Sequence, residues 1–93
     1  MNLARAHLYI TGRVQGVSYR AFTRDLANQL GLRGWAKNLY DGSVEAVFEG
    51  DKKLIEEAVT RCQAGPPGAR VDGVHVRWED YQGDLKGFQI RYF

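Results

Sequence analysis

Ala6-His7-Leu8-Tyr9-Ile10-Thr11-Gly12-Arg13-Val14-Gln15-Gly16-Val17-Ser18-Tyr19-Arg20 changes its periodicity part-way along. Ala6, Leu8 and Ile10 alternate with His7, Tyr9 and Thr11, the period-two pattern of a strand with one buried face. From its end onward, Tyr19, Phe22, Leu26 and Leu30 recur at intervals of three and four residues, with Arg24, Asp25 and Gln29 between them. That is an amphipathic helix. Gly12 closes the strand, Ser18 is the candidate N-cap, and Gly31 followed by Leu32 reads as a Schellman-type stop.

Beyond this unit, Arg33 to Asn38 and Ser43 to Glu49 are strand-like runs around Asp41-Gly42, read as a hairpin with a two-residue loop and with Val44, Ala46 and Phe48 inward. Asp51 is placed to cap a second helix whose buried stripe is Leu54, Ile55, Ala58, Val59 and Cys62, before the connection Gly65-Pro66-Pro67-Gly68. Val74, Val76 and Trp78 alternate next, and Phe88, Ile90 and Tyr92 form a short last strand. The order β-α-β-β-α-β plus a terminal strand predicts an α+β, ferredoxin-like two-layer sandwich. Two helices would pack on one face of an antiparallel sheet, with the other face open.

The 93 residues, 44% hydrophobic and 26% charged, suit one globular domain spanning 1–93. A domain this small buries only about 60 to 65% of its unfolded surface, so a site should be a shallow concavity served by loop and backbone atoms. Net charge +2 suits a small anion and lacks the dense basic stripe of a strong nucleic-acid binder. Cys62 is the one cysteine, so no internal disulfide forms and a cytoplasmic setting is expected. In MNLARAHLYITG the longest apolar run is Leu8-Tyr9-Ile10, too short for a signal core or a span, so neither export nor membrane attachment is expected.

Gly12-Arg13-Val14-Gln15-Gly16-Val17-Ser18-Tyr19-Arg20 admits two readings. It is either a bare glycine-containing connection with Arg20 in solvent, or an anion site. In the second, unpartnered N–H groups at the helix start point, with the positive end of the helix dipole, at a bound oxyanion. Gly12 and Gly16 would let the backbone fold into a nest, and Arg20 would add a two-pronged cationic donor. The pattern G-x-x-x-x-G-K-[ST] fails here, as does G-x-G-x-x-G. The cradle C-x-x-x-x-x-R of cysteine phosphatases finds Val14 where its nucleophile would stand. With Cys62 on the inner side of the distant helix, phosphoryl transfer at this loop must position water.

GRVQGVSYR resembles the acylphosphatase signature G-x-V-Q-G-V-x-[FY]-R. Gly34 to Glu45 resembles that family's second motif, G-W-x-x-N-x-x-D-G-x-V-E, and Phe88 to Tyr92 resembles its C-terminal strand. The resemblance implies hydrolysis of a small acyl phosphate to a carboxylate and inorganic phosphate, without metal or organic cofactor. Residue by residue, Arg20 matches the phosphate-binding arginine and Asn38 the water-positioning asparagine. The N–H groups of Gln15, Gly16, Val17, Ser18 and Tyr19, with Arg20, are then expected to hold the phosphoryl oxygens while Asn38 aligns water, with no covalent intermediate. A carboxylate is a good leaving group, so no catalytic histidine is needed. Ser43 is a candidate support for Asn38.

The remaining residues read more plainly. His7 and His75 stand in solvent-facing alternations without metal-ligand spacing, so no metal is expected. Trp35 and Trp78 read as core or sheet-face anchors, and Lys52 and Lys53 as a solvated helix start. The rival class is an RNA-binding module, because Lys86-Gly87-Phe88-Gln89-Ile90-Arg91-Tyr92-Phe93 partly matches K-G-F-[GA]-F-V-x-[FY]. Gln89 and Ile90 depart from it, and the run lies on the last strand instead of the third, so no nucleic acid is expected. A monomer is the default at this size and charge.

Overall fold

In the computed structural model, which describes residues 2–92, the alternating run becomes β1 (Leu3–Arg13) and the helical run becomes α1 (Tyr19–Leu30). Met1 of the N-terminal stretch and Phe93 of the run Lys86 to Phe93 lie outside the described residues. β2 (Arg33–Asn38), β3 (Val44–Asp51), α2 (Lys52–Ala64), β4 (Arg70–Glu79) and β5 (Phe88–Arg91) follow. The strands form one sheet in the order β4-β1-β3-β2-β5. β1 pairs antiparallel with β3 and β4, and β2 antiparallel with β3. β5, however, runs parallel to β2, with Gly34 opposite Phe88 and Ala36 opposite Ile90. The sheet is therefore mixed, not wholly antiparallel. β4 already holds one edge, so the chain crosses to the other and enters beside β2 from the same end.

Both helices cover one face, giving the expected ferredoxin-like sandwich. Ala6, Leu8 and Ile10 of β1 and Val44, Ala46 and Phe48 of β3 meet Tyr19, Leu26 and Ala27 of α1 and Ile55, Ala58 and Cys62 of α2. Two assignments shift. Leu54 is exposed, because the stripe of α2 runs through Ile55, Ala58 and Cys62. Thr23 is buried on α1, its hydroxyl donating to the Tyr19 carbonyl at 2.9 Å, which removes the cost of burying it. Asp51 caps α2 as expected, accepting from the Lys53 N–H at 3.0 Å. Gly31 and Leu32 donate to Asn28 and Ala27 in the expected stop of α1.

The β2–β3 hairpin decides where Asn38 sits. Its loop is longer than expected: the Leu39 N–H donates to the Ser43 carbonyl at 2.9 Å and the Gly42 N–H to the Leu39 carbonyl at 3.2 Å. Tyr40, Asp41 and Gly42 form the three-residue loop, with Gly42 at φ 92° closing the turn. At the other end of β2, a Cβ on Gly34 would lie 1.7 Å from the Val47 carbonyl oxygen, so only glycine allows the two strands to approach this closely.

The helix-free face is closed by its own side chains. Val47 is fully buried there, and Trp35 lies beneath Arg91 and Lys37, whose charged groups stand 4.7 and 5.7 Å from its ring. Glu49, 1% exposed, pairs with Arg5 and accepts the Gln82 and Gly83 N–H groups, which ties the crossover between β4 and β5 to the sheet. His7, read from sequence as solvent-facing, is instead half-buried against Glu45 and stacked on Tyr9 with ring centres 5.0 Å apart. Trp78 is an exposed edge residue with the Lys52 ammonium 5.1 Å from its ring. No helix among the described residues is long and apolar enough to cross a membrane.

Candidate active site

α1 starts without the side-chain cap expected of Ser18. Ser18 lies instead in the left-handed region (φ 61°, ψ 31°), the only non-glycine residue at positive φ among those described. Such a residue stores about 1–3 kcal/mol of strain and persists only where its surroundings require it. Gly16, at φ 75°, is the other left-handed residue of the loop. Two such residues in alternate positions bend the chain continuously from Gln15 to Ser18 around the helix start. Among the described residues, the N–H groups of Gln15, Gly16, Val17 and Ser18 find no acceptor in the protein. The first-turn N–H groups of α1 have none within the helix either. This is a concave set of donors at the positive end of a helix dipole, with the chemistry of an oxyanion site.

Arg20 is held from the opposite side. One guanidinium N–H donates to the Arg91 carbonyl of β5 at 3.1 Å, and the guanidinium carbon stands 4.7 Å from the centre of the Tyr92 ring. A guanidinium carries five donors in a fixed fork, so anchoring one leaves the others oriented. Asn38, the last residue of β2, is opposite Val44 in the sheet. Val44 belongs to the core beneath the helices, so Asn38 projects on the α1 side. The loop, Arg20 and Asn38 consequently share one concavity of about 410 Å³, floored by Val14 and walled by Ile90 and Tyr92. That is the size of a small-molecule site.

Several expected residues differ in how their side chains are used. Tyr19 is turned inward, 2% exposed, and its hydroxyl donates to the Cys62 carbonyl at 2.6 Å; burial pushes its phenol well above the usual range. Val17 packs against the core. Gln15 lines a neighbouring groove, and its carboxamide donates to the Leu39 and Ser43 carbonyls at 2.8 and 2.9 Å. The Ser43 side chain makes no hydrogen bond to Asn38: its hydroxyl and N–H both donate to the Asp41 carboxylate, and those two bonds hold Asp41 below the usual carboxylate range. Cys62 is fully buried, its thiol pushed up to about 11 by burial, far from any role as nucleophile.

Sequence reading missed Tyr92 as a wall and β5 as the support for Arg20. The alternation of Phe88, Ile90 and Tyr92 was the available signal, since it puts Ile90 and Tyr92 on one face. Nothing in it says that this strand lies beside β2. Among the described residues no group of three or more His, Cys, Asp or Glu side chains is placed to hold a metal ion.

The chain is similar to known proteins over nearly its whole length. A family model described as Acylphosphatase matches residues 6–90. A curated acylphosphatase of Pelotomaculum thermopropionicum is 50% identical over 92 residues, covering 99% of this chain and all of that one. The crystal structure of acylphosphatase from Bacillus subtilis superposes with a TM-score of 0.92 at 32% identity, covering 98% of this chain and 100% of that chain. The structure of an acylphosphatase from Coxiella burnetii gives 0.92 at 36% identity, with 97% and 94% covered.

Proposed function

The chain belongs to the acylphosphatase family, and on that premise we propose how it hydrolyses small acyl phosphates to carboxylate and inorganic phosphate. The phosphoryl oxygens occupy the cradle formed by the N–H groups of Gln15 to Tyr19 and by the free prongs of Arg20. Asn38 accepts a hydrogen bond from a water molecule through its carboxamide oxygen and aligns it for attack in line with the leaving carboxylate. The water oxygen bonds to phosphorus, the P–O bond to the carboxylate breaks, and its electron pair leaves on the carboxylate. Asn38 is not basic, so the water proton passes to a phosphoryl oxygen. Charge spread over those oxygens in the transition state is what the cradle stabilises, and such preorganised donors are worth about 10²–10³-fold each.

The single observation that supports this reading is the convergence of unpartnered loop N–H groups, Arg20 and Asn38 on one concavity. The proposal takes the enzyme as a cytoplasmic monomer, since its one thiol is free and buried and the site draws every group from one chain. Hydrolysis of benzoyl phosphate in oxygen-18 water tests the chemistry. All label should appear in phosphate, whereas label in benzoate would mean attack at the carbonyl. A phosphate monoester, whose alkoxide leaving group needs an acid that this site lacks, should be turned over poorly.

A further inference from the structure

The cradle and Asn38 lie on separate elements, 18 positions or more apart in the chain, so something must fix one against the other. We infer that Gln15 is a positioning residue that sets Asn38 against the phosphoryl cradle; this rests on the proposed role of Asn38 in aligning water.

Gln15 stands in the cradle, and its Nε2 reaches across to the neck of the β2–β3 hairpin, 2.8 Å from the Leu39 carbonyl and 2.9 Å from the Ser43 carbonyl. Both neighbours are acceptors, so only the two donors of the amide –NH₂ fit between them. The same two carbonyls close the hairpin, accepting from Gly42 and Leu39 in turn. Leu39 directly follows Asn38, so the clamp grips the residue beside the side chain that faces the site. Beyond it, the Asp41 and Ser43 bonds stiffen the loop from within and touch neither the cradle nor Gln15. Among the described residues, the Gln15 carboxamide makes the only hydrogen bonds between the cradle loop and the hairpin. A misplacement of about 1 Å of a positioning group can lower turnover about a hundredfold.

The test is a kinetic cycle on benzoyl phosphate with inorganic phosphate as competitive inhibitor. Gln15→Met keeps the length of the side chain and removes both donors. It should lower kcat about ten- to a hundredfold while the phosphate inhibition constant changes less than about threefold. In an Asn38→Ala background the same substitution should cost almost nothing further, because the water it helped to align is no longer held. Gln15→Glu supplies a second reading if the Met variant folds poorly. Its carboxylate repels both carbonyls, but its protonated form donates one O–H, so relative kcat should rise as pH falls through the carboxyl titration. Multiplicative losses in the double variant, equal losses of kcat and phosphate affinity, or a pH-independent Glu variant would each overturn the inference while leaving the proposed function standing. An unchanged kcat in Asn38→Ala alone would overturn the role of Asn38 and this inference with it.

Discussion

At the scale of single residues, the site is built from groups that the rest of the protein leaves unused. Arg20 is the sharpest case: it spends one N–H on Arg91 and rests on Tyr92, and it has no carboxylate partner among the described residues. Arg20→Gln should therefore lower kcat/KM on benzoyl phosphate by about 10²–10³-fold and weaken inhibition by phosphate in parallel. Unchanged inhibition would remove Arg20 from the cradle. Ser18 is the opposite case, a residue under strain where its side chain makes no cap. Ser18→Gly relieves about 1–2 kcal/mol of left-handed strain against a smaller gain in unfolded-chain entropy, and should raise stability to urea by about 0.5–1 kcal/mol. A loss of stability would mean that the serine hydroxyl supports the loop. Arg20 and Asn38 were legible in the sequence because their residue types and spacing carry the family motif. The side chains of Gln15 and Arg20 reach for backbone carbonyls, which every residue possesses, so those contacts leave no trace in residue type.

At the scale of elements, a hydrogen bond joins the two helices in addition to their packing. Cys62 lies in the last turn of α2, where carbonyls lack helical partners, and the Tyr19 hydroxyl at the start of α1 satisfies one of them. Tyr19→Phe leaves that buried carbonyl unpaired and should cost about 1–3 kcal/mol, measured by denaturant titration. Burial also raises the ionisation of both groups. The Cys62 thiol keeps its proton in the folded state up to about 11, while the unfolded chain loses it from about 9. Across that window the unfolded state binds fewer protons, so stability should fall as pH rises from about 9 to about 11. Thermal unfolding across this window checks the sign, and a midpoint that holds or rises would contradict it. Helix and strand positions were readable from period alone. The α2 stripe was misread at Leu54 because apolar type alone placed it in the stripe, although it points about 100° away from Ile55 around the helix, and packing against the sheet selects Ile55.

At the scale of the whole molecule, the topology brings the site together. The parallel addition of β5 beside β2 carries Arg91 and Tyr92 to Arg20, and the hairpin returns Asn38 to the same end of the sheet as the start of α1. Four residues of alternating pattern read the same in either direction, so the sequence of β5 cannot reveal its parallel course. Its placement depends on distant contacts: Glu49 to Gln82 and Gly83, Arg33 to the Leu85 carbonyl, and Gly34 to the Gly87 carbonyl. The helix-free face was expected to be open, and its ion pairs and the cations over Trp35 close it by pairings across β1 to β5 that no local pattern encodes. What the fold achieves is to bring the loop N–H groups and Arg20, the proposed phosphoryl cradle, into one concavity with Asn38, the proposed water-aligning amide. The most direct measurement is steady-state hydrolysis of benzoyl phosphate by Asn38→Ala, with folding verified by circular dichroism and phosphate affinity measured by inhibition. The account predicts kcat lowered about a hundredfold or more with phosphate affinity retained; a folded variant with unchanged kcat would contradict it.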